Sequence, residues 1–227
     1  METARSLQPH IIINNRSGIE QDLWTPEQFQ PDKWITHKET GELVTWEACQ
    51  TFSGSWGYYR DELTWKSPEM LINLLVDTVA RGGNLIMNVG PTARGYFDHR
   101  AQASLKLFEQ WMKYHSRTIY GCTKAEPELQ EPNGCRLTQS EDGKRLYLHI
   151  QNYPSGSPGG TIHIMGLAGK VEYAQFLHDA SEIRYTENVL SQDLGYIETT
   201  EVAGLLSLRL PPVKPNVVVP VIELFLK

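Results

Sequence analysis

The sequence predicts an α/β layer followed by an all-β domain, with the change near Gly121. Two observations carry this. Up to Gly121, short apolar or β-branched runs alternate with amphipathic helical stretches, the βα texture of a parallel sheet. Beyond it, short strand candidates succeed one another at close spacing with turn clusters between them, which is the pattern of a sandwich of antiparallel strands. The expected domains are residues 1–121 and 122–227.

The elements follow in order. His10-Ile11-Ile12-Ile13-Asn14 is a continuous β-branched run and suits a strand buried on both faces. The stretch from Trp24 to Val44 holds Pro26, Pro31 and Gly41 among charged residues and reads as a long loop. Trp46 to Phe52 is the next strand candidate. Ser67-Pro68-Glu69 then starts a helix: Ser67 caps, Pro68 fits the first turn and Glu69 favours the positive end of the dipole. Leu71, Leu74, Leu75 and Val79 give that helix its stripe, and Gly82-Gly83 stops it. Asn84 to Val89 reads as a third buried strand, ended by Gly90-Pro91, and His99 to His115 as a second long helix with Leu105, Phe108 and Met112 on one side.

In the second half, strands are expected at Arg145–Ile150, Thr161–Ile164, Val171–Leu177, Ile183–Tyr185, Leu205–Leu210 and Val217–Leu226. A turn cluster spans Pro154 to Gly160.

Composition removes several classes of function. The chain has 227 residues with 21 Lys+Arg against 27 Asp+Glu, a net charge of −6, so it lacks the basic balance of a nucleic-acid binder. Hydrophobic residues make up 40% of the chain, enough for a packed core. No apolar run reaches the roughly 18–20 residues of a membrane helix, so no membrane partner is expected. The N-terminal residues lack a long apolar stretch, which predicts no secretory signal here. Cys49, Cys122 and Cys135 are an odd number at spacings that match no metal motif, so they read as free thiols. The seven histidines include no pair at zinc spacing, and no glycine run leads into a Gly-Lys-Ser/Thr phosphate loop. Neither a metal nor a cofactor is expected.

Four clusters draw attention: Asn14-Asn15-Arg16 after the first strand, Thr25-Pro26-Glu27-Gln28, Trp46-Glu47-Ala48-Cys49 with Ser55-Trp56-Gly57-Tyr58, and Gly82 to Pro91. Each alone has an ordinary explanation. Arg16 can be a surface ion-pair partner, Thr25-Pro26-Glu27 a helix cap, and Trp46 and Trp56 core or rim aromatics. In this order, however, they resemble the C-terminal part of the family 29 glycoside hydrolases, the retaining α-L-fucosidases. Leu7-Gln8-Pro9-His10 to Arg16 is similar to the family's fifth barrel strand region, with residue 1 inside the helix that leads into it. Trp111 and Ile119-Tyr120-Gly121 are similar to its closing helix and its exit into a β-sandwich.

The resemblance implies a partial, truncated TIM-like (β/α) barrel followed by a C-terminal antiparallel β-sandwich, with about three barrel strands where eight are the rule. It implies two carboxylates, one attacking the anomeric carbon and one acting as acid/base, about 5–5.5 Å apart in retaining enzymes. Glu27 matches the acid/base, a role that suits a carboxyl able to start protonated, and Glu47 is the runner-up. Arg16 matches an arginine that hydrogen-bonds sugar hydroxyls. Trp46 and Trp56 fall in the substrate-binding motif, with Trp56 resembling the aromatic that meets the methyl-bearing face of fucose. The nucleophilic Asp of the family precedes Leu7-Gln8-Pro9 and has no counterpart here. Fucosylated glycans or oligosaccharides are the implied substrates. The incomplete barrel implies a homo-oligomer, because its unpaired edge and apolar faces need cover. Two other readings compete with an active fucosidase: an inactive fragment or remnant, and a carbohydrate-binding protein.

Overall fold

The computed structural model describes residues 2–18, 22–154, 160–190 and 200–227. β-Strands dominate, with ten strands and three α-helices among the described residues. The chain forms two compact units, Met1–Leu105 and Lys106–Lys227. Most of the turn cluster at Pro154 to Gly160 lies outside the described residues.

In the first unit, helix α1 (Glu2–Leu7) precedes the isoleucine run. That run forms no strand. Asp22 takes the place of a ladder partner: its carboxylate accepts from Ile13 N–H at 3.0 Å, and its own N–H donates to Ile13 O at 2.8 Å. Arg5 holds the Asp22 carboxylate at 2.8 and 2.9 Å, and together with the Ile13 N–H lowers its pKa. Asn14 bridges Leu23 in parallel, while Ile12 is exposed rather than buried.

Strand β1 (Glu47–Thr51) and strand β2 (Asn84–Asn88) pair in parallel, with Glu47 opposite Asn84 and Thr51 opposite Asn88. Helix α2 (Pro68–Ala80) connects them. Its N-terminus is built as the sequence predicts, since Ser67 accepts from Met70 N–H with Pro68 in the first turn. Gly82 ends it at φ 71°. Two corrections follow here. β2 is not buried on both faces, because Ile86 is 46% exposed. The segment from Trp24 is more than a loop, because Trp24 and Glu27 bridge Trp46 and Cys49 in parallel and lie as a further extended line beside β1.

The indole of Trp46 is fully buried. Its Nε1 donates to Arg81 O at 3.2 Å, and a Cβ on Gly83 would lie 2.3 Å from its ring. Gly83 is therefore required by close approach rather than by the helix stop alone.

Helix α3 (His99–His115) has the bounds the sequence predicts but a different buried face. Ala101, Ser104, Trp111 and His115 are buried, whereas Leu105 is 36% exposed.

The second unit is antiparallel. Strands β3 (Cys122–Lys124), β4 (Cys135–Ser140), β5 (Arg145–Ile150), β10 (Val221–Leu226) and β7 (Val171–Phe176) form one sheet in the order β3-β4-β5-β10-β7. Strands β6 (Thr161–Met165), β9 (Glu201–Arg209) and β8 (Tyr185–Val189) form another in the order β6-β9-β8. Leu146, Leu148, Ile222 and Leu224 of the first sheet join Ile162, Ile164, Leu206 and Leu208 of the second in one buried cluster. β3 and β4 escape the sequence pattern because their residues are largely polar. In β4, Thr138 is buried by donating to Thr118 O at 2.9 Å, and the Gln139 carbonyl accepts from Glu126 N–H at 3.0 Å. The C-terminal strand begins at Val221, later than expected, and the strand expected at Ile183 begins at Tyr185.

The Gly83→Ala substitution forces a methyl into the Trp46 ring and is expected to cost about 1–3 kcal/mol of stability. Urea unfolding followed by tryptophan fluorescence measures this as a lowered midpoint, and an unchanged midpoint would contradict the packing.

Candidate active site

The candidate site is assembled around the line of residues 24–28 and strand β1. Thr45 O accepts from Trp24 N–H at 3.0 Å, and Glu47 N–H donates to Trp24 O at 2.9 Å. Cys49 N–H then donates to Pro26 O at 2.9 Å, and Cys49 O accepts from Gln28 N–H at 2.9 Å. Pro26 has no N–H to offer, so only its carbonyl takes part. This ladder fixes Glu27 level with Cys49. At Gln28 the backbone turns into the left-handed region, φ 53°, and its side-chain amide donates to Thr51 Oγ1 at 3.0 Å.

Arg16 comes from a short 3-10 turn, Asn15–Ser17. Asn14 caps it by accepting from Arg16 N–H at 3.2 Å, and Gly18 ends it at φ 68°. Asn15 Oδ1 accepts from Thr25 N–H at 2.9 Å and ties this turn to the Glu27 segment. Arg16 Nη1 and Glu27 Oε2 meet at 2.5 Å, with both side chains 43% exposed. Such an exposed pair contributes about 0–1 kcal/mol. Its value is in placing a cation against a carboxylate that remains open to solvent.

Glu47 and Cys49 are two residues apart on β1, so they share one face of the strand. The Cys49 thiol interacts with Arg16, Glu27 and Glu47 together. Burial raises its pKa, the two carboxylates raise it further and Arg16 opposes them. Cys49 therefore shares a face with Glu47 and lies level with Glu27. It was read from sequence only as part of a motif and as a free thiol. The carboxyl whose pKa burial raises is that of Glu47. The two glutamates therefore sit in different environments: one is ion-paired and open, the other partly desolvated.

The tryptophans are placed unequally. Trp56 is 40% exposed, and its carbonyl accepts from the Asn88 side chain at 2.7 Å. Gly90 lets this loop close on β2, since a Cβ there would lie 2.4 Å from Tyr58 N. Trp46, expected among the substrate-binding residues, is fully enclosed and offers no surface to a sugar. The parallel pleat turns it, with the Gly83 contact, into the interior of the unit. The sequence placed Gln28 in a motif and Thr51 in a strand but did not foretell their contact, and it gave no signal for Lys66. Lys66 Nζ donates to Thr51 O at 2.7 Å and fixes the end of β1. Among the described residues no group of three or more His, Cys, Asp or Glu could hold a metal ion.

The comparisons with known proteins agree on one family. Residues 1–117 match the family model described as alpha-L-fucosidase. The alpha-L-fucosidase of Dictyostelium discoideum is 33% identical over 160 residues, which cover 67% of this chain and 33% of that protein. The human tissue alpha-L-fucosidase is 29% identical over 189 residues, 74% of this chain and 38% of that protein. Among solved structures, alpha-L-fucosidase isoenzyme 1 from Paenibacillus thiaminolyticus aligns with a TM-score of 0.84 and 31% identity, covering 100% of this chain and 52% of that one. A GH29 alpha-L-fucosidase from Bacteroides thetaiotaomicron shares the fold, with a TM-score of 0.77 at 22% identity. The chain belongs to the α-L-fucosidase family and matches its C-terminal part. It spans 33% to 38% of the length of these two curated relatives and 52% of the Paenibacillus chain.

The Glu47 environment has a pH signature. Burial raises its folded-state pKa above the ordinary 4.5, so the folded state binds more protons than the unfolded chain between those two values. Stability then falls as pH rises through that window. Glu47→Gln is expected to remove this part of the fall, which urea midpoints between about pH 4 and about pH 7 will reveal in comparison with the unmodified protein.

Proposed function

We propose that this chain carries the acid/base side of a retaining α-L-fucosidase site, in a truncated (β/α) barrel followed by a β-sandwich. The observation that carries the reading is the Arg16–Glu27 pair beside Cys49 and Glu47, within the segment that matches the family. In the first step sugar hydroxyls take Arg16 from Glu27, which picks up a proton from solvent; a carboxylate then attacks the anomeric carbon while Glu27 gives that proton to the departing glycosidic oxygen. In the second step Glu27 takes a proton from water. The water oxygen bonds to the anomeric carbon and the first carboxylate is released. Arg16 binds sugar hydroxyls through its planar fork, and the exposed face of Trp56 meets the methyl-bearing side of the sugar. Glu47 is the alternative acid/base. The substrates are fucosylated glycans or oligosaccharides.

The attacking carboxylate is supplied by this chain or by a neighbouring copy, and association with another copy completes the site. Two features support this. β2 pairs with β1 and with no second strand among the described residues. Leu7, Ile12 and Leu63 are 83%, 71% and 93% exposed, large apolar side chains that another surface would cover.

An assay with an aryl α-L-fucoside tests the proposal. Turnover per chain is expected to rise with protein concentration as copies associate. Glu27→Ala is expected to lower it by about 10²–10⁴-fold, the usual scale for a lost acid/base group. Azide should restore release in Glu27→Ala by attacking the glycosyl-enzyme without needing a general base. A folded sample with no turnover at any concentration would overturn the reading, and a larger, azide-sensitive loss in Glu47→Ala would move the role to Glu47.

A further inference from the structure

The second unit holds a cavity of about 720 Å³ between the later turns of α3 and residues 214–218. This falls within the roughly 300–1,000 Å³ of small-molecule sites. All its lining residues belong to the second unit, and none is part of the candidate active site.

Hydrogen bonds hold its walls in place. Trp111 Nε1 donates to Val219 O at 2.9 Å, and Lys214 Nζ donates to Val218 O at 3.1 Å. The inner wall is the buried Trp111 ring stacked on His115, with centroids 4.7 Å apart and planes 12° from parallel. At the mouth, Tyr114 is 50% exposed and offers an aromatic face. Leu107, Val217 and Val218 complete the lining, so the apolar part joins aromatic faces to aliphatic ones.

The polar groups have a consistent character. His115 Nδ1 faces the Trp111 carbonyl at 2.8 Å. A carbonyl only accepts, so the proton is on Nδ1 and Nε2 carries a lone pair. That Nε2 is buried with no hydrogen-bond partner among the described residues, and His178 Nδ1 is in the same condition. Burial lowers the His115 pKa to about 4, so the ring is neutral near pH 7. Gln110 and Asn216 add amides able to donate and accept. The wall therefore presents mixed amides, the Lys214 ammonium and an aromatic face. A ligand with many hydroxyl groups and one flat C–H face satisfies all three.

We infer that this cavity binds a saccharide unit, at a site separate from the one that holds Arg16 and Glu27. It gives the chain a second hold on a glycan, independent of whether Glu27 or Glu47 is the acid/base.

Saturation-transfer NMR on the full chain, with L-fucose, D-galactose and lactose as probes, tests this. At least one probe is expected to receive saturation from the protein. Tyr114→Ala and, independently, Gln110→Ala should weaken its binding by about 3–10-fold, the scale of one lost contact. Gln110 is exposed, so that variant keeps the test valid if Tyr114→Ala fails to fold. The part of the saturation that the two cavity variants remove should persist in Glu27→Ala, which separates it from failure of the active-site reading. No saturation of any probe, or saturation unaffected by both cavity variants, would overturn the inference.

Discussion

The burial of Trp46 is the constraint on which the first unit depends. Its indole fills the space that Gly83 leaves open and is tied to Arg81 O. That single contact locks the exit of α2 to the start of β1. The parallel pairing of β1 with β2, and the line of residues 24–28 beside them, then follow from adjacent backbone hydrogen bonds. Glu27 gains its position at the end of this sequence of constraints. An open, solvent-exposed carboxylate cannot hold itself in place, because an exposed ion pair contributes too little energy. The backbone ladder and the Asn14–Gly18 turn do so instead.

The chemistry of the site comes from unequal surroundings for similar groups. Glu27 faces a permanent cation, whereas Glu47 is partly withdrawn from water. Different environments are how proteins separate the roles of two carboxyl groups.

The second unit solves a different problem, that of polar groups inside a β core. Glu223 is 2% exposed, and its carboxylate accepts from Arg117 at 3.1 Å and from Gln175 at 2.8 Å. His149 is fully buried and burial lowers its pKa to about 3, so it stays neutral while its Nε2 meets Thr138 Oγ1 at 2.9 Å. Each such group is tolerated because it is either paired or uncharged.

The sequence by itself determined the helices and their ends, the β1 and β2 segments and most strands of the second unit. These depend on local signals such as the Ser67-Pro68 start and the apolar runs, which act within a few residues. It also singled out Arg16, Glu27 and Glu47 as candidates through ordered motifs. Only the tertiary structure decided that the isoleucine run is not a strand, because Asp22, nine residues from Ile13, takes the N–H a ladder would use. It also decided that Trp46 is interior while Trp56 is exposed, a distinction two similar tryptophans cannot reveal by type. The polar strands β3 and β4 and the true buried face of α3 depend on partners far along the chain. Side-chain pattern records which face a residue could use, whereas distant partners set which face is used.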